Sequence, residues 1–161
     1  MSTRHMVQAA VLAAMYVVLG QVVRFIPNPM VPGANIALNM VVVVIAGILL
    51  GPAAGASVGF LGTLVNALSP SGNAFEWAAV IPHTIMGLSA GLIGGRNLVL
   101  GALTIIVGHA LNIIAFLIVR LLPMNQLAVT IFSIGLLAEV VIDVVVIVIA
   151  VPLLRPLAKT G

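Results

Sequence analysis

Residues 41–68 read VVVVIAGILLGPAAGASVGFLGTLVNAL, without one charged side chain. No soluble helix pair of this length lacks a polar face, so lipid or protein must surround it. Gly51-Pro52 breaks the run. Proline has no N–H to give an ongoing helix and fits the first turn of a new one. The stretch therefore predicts a short helix 2, Ile36–Leu50, and a helix 3 from the break to about Leu68. Gly51, Gly55 and Gly59 fall four apart, which gives one face where another helix can approach closely.

The same pattern extends in both directions. Helix 1 is expected over Met6–Ile26. Its length exceeds a signal-peptide core, so it is read as a membrane span and not as a cleaved leader. Pro27–Gly33 holds three prolines and is read as a loop. Beyond Ser69–Ala74, helix 4 is expected at Phe75–Ile93. Helix 5 follows at Leu98–Leu122 and helix 6 at Leu127–Leu154. Gly87, Gly91 and Gly95 repeat the spacing of four. The expectation is an all-α membrane protein: a compact bundle of about six transmembrane helices, a single transmembrane domain over residues 1–161.

Composition agrees. Of 161 residues, 63% are hydrophobic and 6% charged. So few charges cannot cover a water-facing surface. The net charge of +3 is scattered rather than clustered, which does not suit nucleic acid. The chain has no cysteine, hence no disulfide and no thiolate metal site. Arg4, Arg96, Arg155 and Lys159 share one side of a six-span layout. The positive-inside rule makes that side the cytoplasm, with both termini there, in a multi-pass protein of the cell membrane. Arg24 and Arg120 fall near the opposite ends of helices 1 and 5. Each is either a ligand group or a side chain reaching the headgroups.

Polar residues inside apolar spans need partners or a cavity. At 100° per residue His109, Asn112, Phe116 and Arg120 form one stripe of helix 5. Glu139 and Asp143 share a face of helix 6. Glu76, His83 and Gly87 align on helix 4, Asn66 continues the small face of helix 3, and Asn35 and Asn39 open helix 2. By helical rise, His109 lies ~16 Å from the inner surface. The polar groups thus span the outer half of the bundle, as a cavity open to the outside would require. The plainer reading is a set of structural pairs such as His109 with Asp143.

Motifs narrow the chemistry. No G-x-x-x-x-G-K-[ST] phosphate loop is present, so this chain does not hydrolyse ATP by that route. No histidine spacing suggests zinc, and no cofactor is expected. Gly55-Ala56-Ser57-Val58-Gly59 matches G-x-S-x-G. The hydrolase form needs a strand–turn–helix elbow, whereas this pentapeptide lies within a helix.

The chain resembles the S components, the substrate-binding subunits, of energy-coupling factor (ECF) transporters. The likeness rests on Ala9-Ala10-Val11-Leu12-Ala13-Ala14 at the start of helix 1. It rests also on Ile45–Pro52 running on to Gly62, and on a turn-rich loop before a helix ending Gly87-Leu88-Ser89-Ala90-Gly91. It implies high-affinity binding of a vitamin or related micronutrient from outside, then import by a complex with a transmembrane coupling subunit and two ATPase subunits. In the family an A-x-x-x-A face on helix 1 meets the coupling subunit; here Ala9/Ala13 or Ala10/Ala14 would serve. The lids implied are Pro27–Ile36, Ser69–Glu76 and Pro123–Leu127. The implied ligand set is Arg24, Asn35, Glu76, Trp77, His83, His109, Asn112, Arg120 and Glu139. Trp77 would stack on a flat ring and Arg120 would take a carboxylate or phosphate. The Met-His start of metal-binding members is absent, which disfavours metal. Two other functions fit the residues: a self-sufficient proton-coupled carrier using Glu139, Asp143 and His109, or an intramembrane serine hydrolase using Ser57.

Overall fold

The computed structural model describes residues 2–28, 36–122 and 125–159. Six helices follow in order: α1 (Thr3–Val23), α2 (Met40–Leu50), α3 (Pro52–Leu68), α4 (Ala74–Gly94), α5 (Leu98–Ile118) and α6 (Gln126–Lys159). Helices α1, α4, α5 and residues 134–158 of α6 are long and apolar enough to cross a bilayer; α2 and α3 are shorter.

Helix α2 is the axis of the bundle. Every residue from Met40 to Ile48 is buried. That is why residues 41–46 show no apolar periodicity: a helix covered on all sides gains from hydrophobic side chains all round. It touches each of the other five helices, which surround it in the order α1, α3, α4, α5, α6. Gly51 ends α2 with φ 94° and ψ 174°, a conformation open to glycine alone, and Pro52 begins α3 at its first turn. The chain thereby reverses within two residues.

The glycine series meet each other. A side chain on Gly55 would strike the Gly87 carbonyl, one on Gly59 the His83 carbonyl, and one on Gly91 the backbone of Pro52. Helices α3 and α4 therefore pack backbone to backbone, as small residues permit in membranes.

Several boundaries differ from the sequence expectation, among them those of α1, Thr3–Val23 rather than Met6–Ile26. Helix α2 starts at Met40 rather than Ile36, because the Ala37 N–H is drawn to the Glu139 carboxylate and not into a helical turn. Helix α5 ends at Ile118 rather than Leu122, because Arg120 turns left-handed at φ 58°. Helix α6 runs five residues beyond Leu154, with Pro152 and Pro156 inside it. Arg4 and Gln8 of α1 donate to the Leu157 carbonyl at 3.1 and 3.2 Å. The start of α1 and the last turns of α6 thus lie together. Arg155 and Gly95, the neighbour of Arg96, line one cleft at the same end.

Candidate functional site

At the opposite end of α2 the helices enclose a cavity of about 710 Å³, its open mouth included. Helix α1 supplies Tyr16, Gly20 and Val23. Asn28, Ile36, Ala37 and Asn39 come from the connection to α2, and Thr63 from α3. Helix α4 and its cap give Asn73, Phe75, Glu76, Ala79 and His83. Helix α5 gives His109, Asn112 and Phe116, and α6 gives Leu136 and Glu139.

Local sequence explains how these groups are held. Asn73 caps α4: its Oδ1 accepts from the N–H groups of Phe75 and Glu76 at 3.0 and 3.1 Å. Glu76 thus enters the first turn, where the helix dipole favours an acid. Phe75 and Phe116 meet edge to face, ring centres 5.0 Å apart and planes at 89°. Glu139 caps the start of α2 through Ala37.

Beneath them lies a buried polar network. The His83 Nδ1 is 2.8 Å from the Tyr16 hydroxyl and 2.9 Å from Thr63 Oγ1, and Thr63 donates to Tyr16 at 3.0 Å. Asn112 Nδ2 donates to His83 Nε2 at 3.2 Å. His109 Nε2 lies 3.5 Å from Asp143 Oδ2, both side chains buried. A second network, beside the first, joins Gln21 to Asn66, Ser69 and Ser71.

Of the residues expected from sequence, Glu76, His83, His109, Asn112 and Glu139 come together at the cavity. Arg24, Trp77 and Arg120 are not among the described lining residues. Arg24 is exposed, its guanidinium 5.1 Å from the Phe25 ring centre. Trp77 is 51% exposed, on the outward side of α4 from His83. The expectation that Arg120 continues the α5 stripe is corrected: the helix stops before it, and its side chain is exposed. Asn35 lies outside the described residues, as do most of the first expected lid and part of the third. Ala9 is buried and Ala13 half-buried, whereas Ala10 and Ala14 are exposed.

Sequence reasoning passed over Tyr16, Thr63 and Phe75. The signal for Tyr16 was available: it is the chain's one tyrosine, set mid-span. Its spacing to Gly20 and Val23 marks the inner face of α1. Ser57 takes no part; its hydroxyl donates to the Ala53 carbonyl at 2.8 Å, one turn back.

No curated protein and no solved structure matches the chain. One family model does, described as "ECF-type riboflavin transporter, S component", over residues 1–159. The match spans every helix and every wall of the cavity, and by it the chain belongs to the S components of ECF-type riboflavin transporters, membrane subunits that bind a vitamin.

Proposed function

We propose that this chain captures riboflavin, or a vitamin with the same flat fused ring, from outside the cell. The observation that carries the reading is the cavity itself, in a chain of this family. It opens at its mouth and is walled by α1, α3, α4, α5, α6 and the connection into α2, as sites for small organic ligands between helices of a bundle are. Its wall sets aromatic Tyr16, Phe75 and Phe116 against the amides of Asn28, Asn39 and Asn112. That mixture suits a planar heteroaromatic ring with a polar edge.

The charge of the wall favours a neutral ligand. Glu76 and Glu139 are acidic, and no lysine or arginine stands among the described lining residues. Residues 29–35 and 123–124 contain none either. The free vitamin is thus preferred to its phosphate ester, which meets two acids and no lysine or arginine among the described lining residues. The ligand set is Glu76, His83, His109, Asn112 and Glu139, joined by Tyr16, Phe75 and Phe116. Beside the mouth, the Ile36 N–H donates to the Ile26 carbonyl at 3.2 Å and ties the start of α2's connection to the end of α1.

Release to the cytoplasm requires partners. The exposed Ala10 and Ala14 face of α1 meets a transmembrane coupling subunit, and two ATPase subunits supply the energy. Chain termini, Arg4, Arg96 and Arg155 lie on the cytoplasmic side.

The test is direct. Protein purified in detergent should carry flavin detectable by native mass spectrometry, or bind added riboflavin one to one with quenching of flavin fluorescence. Riboflavin 5′-phosphate should bind at least about tenfold more weakly, the scale of one unfavourable charged contact. Absence of riboflavin binding at micromolar concentration by folded protein would sink the reading.

A further inference from the structure

Asn112 is 6% exposed and lines the cavity, yet its Oδ1 is buried with no hydrogen-bond partner among the described residues. The other end of the same amide is fully occupied. Nδ2 donates to His83 Nε2 at 3.2 Å and lies 3.8 Å from Met40 Sδ. A thioether sulfur has no proton to give, so it accepts only. Turning the amide over would set oxygen lone pairs against that sulfur. The nitrogen therefore belongs on the His83 side, and the oxygen is left without a donor.

This arrangement fixes the imidazole as well. If Nε2 accepts from Asn112, a neutral ring carries its proton on Nδ1. Nδ1 has two oxygens within reach, the Tyr16 hydroxyl at 2.8 Å and Thr63 Oγ1 at 2.9 Å, brought by two different helices. Both can receive the ring N–H. A network serving packing alone has no reason to leave a buried acceptor empty at a cavity wall, since such an atom destabilises the fold until something donates to it.

We propose that His83, held as the Nδ1–H tautomer by Tyr16 and Thr63, orients the Asn112 amide so that its oxygen reads a hydrogen-bond donor on the ligand's ring. The site then selects a ring N–H over an N-alkyl group or a bare acceptor edge. Asn112 receives this donor; toward it His83, Tyr16 and Thr63 act as positioning residues, whatever apolar ring contact the cavity-lining His83 and Tyr16 also make with the ligand. The identity of the donor rests on the flavin reading, under which it is the imide N–H between two carbonyls of the isoalloxazine ring. The tautomer does not rest on it.

Two measurements test this. With 15N-labelled histidine, a long-range proton–nitrogen correlation spectrum of the ligand-free protein reports the tautomer of each ring. The chain has three histidines, and a His83→Gln variant assigns the signal. The expected result is Nδ1–H at His83; Nε2–H overturns the proposal whether or not flavin binds. The second measurement compares riboflavin with its imide-N-methyl analogue. Wild-type protein should prefer riboflavin by about tenfold or more, as polar sites reject analogues that leave a buried group unpaired. Folded Asn112→Leu, and the near-isosteric pair Tyr16→Phe with Thr63→Val, should bring the two affinities within about threefold of each other. A merely structural role would weaken both ligands together and keep the ratio. An undiminished ratio in folded Asn112→Leu, or equal affinities in wild type, overturns the proposal. Riboflavin failing to bind while His83 shows Nδ1–H defeats the flavin reading and supports the positioning role.

Discussion

Arg120 is the one non-glycine residue with a positive φ among the described residues, at 58°. It closes α5. The Leu121 N–H reaches back to the Phe116 carbonyl at 2.8 Å and the Arg120 N–H to Leu117 at 3.1 Å. This is the double closure that glycine usually makes, because a Cβ in that conformation crowds the next carbonyl. Arg120→Gly should therefore raise stability by about 1 kcal/mol, read as a higher unfolding temperature. It should leave riboflavin affinity within about twofold; a tenfold loss would return the guanidinium to the ligand. Single residues also show where reading the sequence runs out. The α5 stripe correctly joined His109, Asn112 and Phe116, since helical phase is local information. The left-handed turn at Arg120 left no trace, because no glycine or asparagine marks it. Nor could the sequence show that Ala37 gives its N–H to Glu139, a partner 102 positions away.

At the scale of elements, the glycine seam between α3 and α4 was legible and the reach of the cavity was not. Gly51-Pro52 sets the start of α3 by local chemistry alone, and the spacing of four placed its smooth face. That the face meets α4 at Gly87 and His83, rather than another helix, is a tertiary fact. The seam gives a paired prediction. Gly55→Ala puts a methyl group against the Gly87 backbone, which cannot yield as a flexible side chain can. It should lower stability by about 1–3 kcal/mol, the cost of overpacking. Gly95→Ala belongs to the same series but meets nothing within 4 Å, so it should be nearly neutral. Thermal unfolding of both variants in one detergent checks the contrast. Equal losses would mean that close approach of α3 and α4 does not set the glycine requirement, since helix propensity alone favours alanine.

For the whole molecule, α1 has two faces with separate duties. Ala9 and Tyr16 face the core, while Ala10 and Ala14 lie exposed on the outside. Ala10→Trp should leave riboflavin binding within about twofold and abolish uptake in cells that carry the coupling and ATPase subunits, since a large ring prevents close helix approach. Ala13→Trp makes a poor test, because Ala13 packs against the core. Uptake at the wild-type rate by Ala10→Trp would move docking to another face. The ring of helices around α2 is also discontinuous. Among the described residues, α1 and α6 make no close backbone approach, and the side chains of Arg4 and Gln8 bridge them to the Leu157 carbonyl. Such a wall behaves as a split collar with a polar clasp at one end. Releasing that clasp costs on the order of 1 kcal/mol per hydrogen bond and undoes no packed helix pair. If the collar must widen, the α1–α6 gap is where it gives way, while the glycine-locked α3 and α4 travel together as one stiff plate.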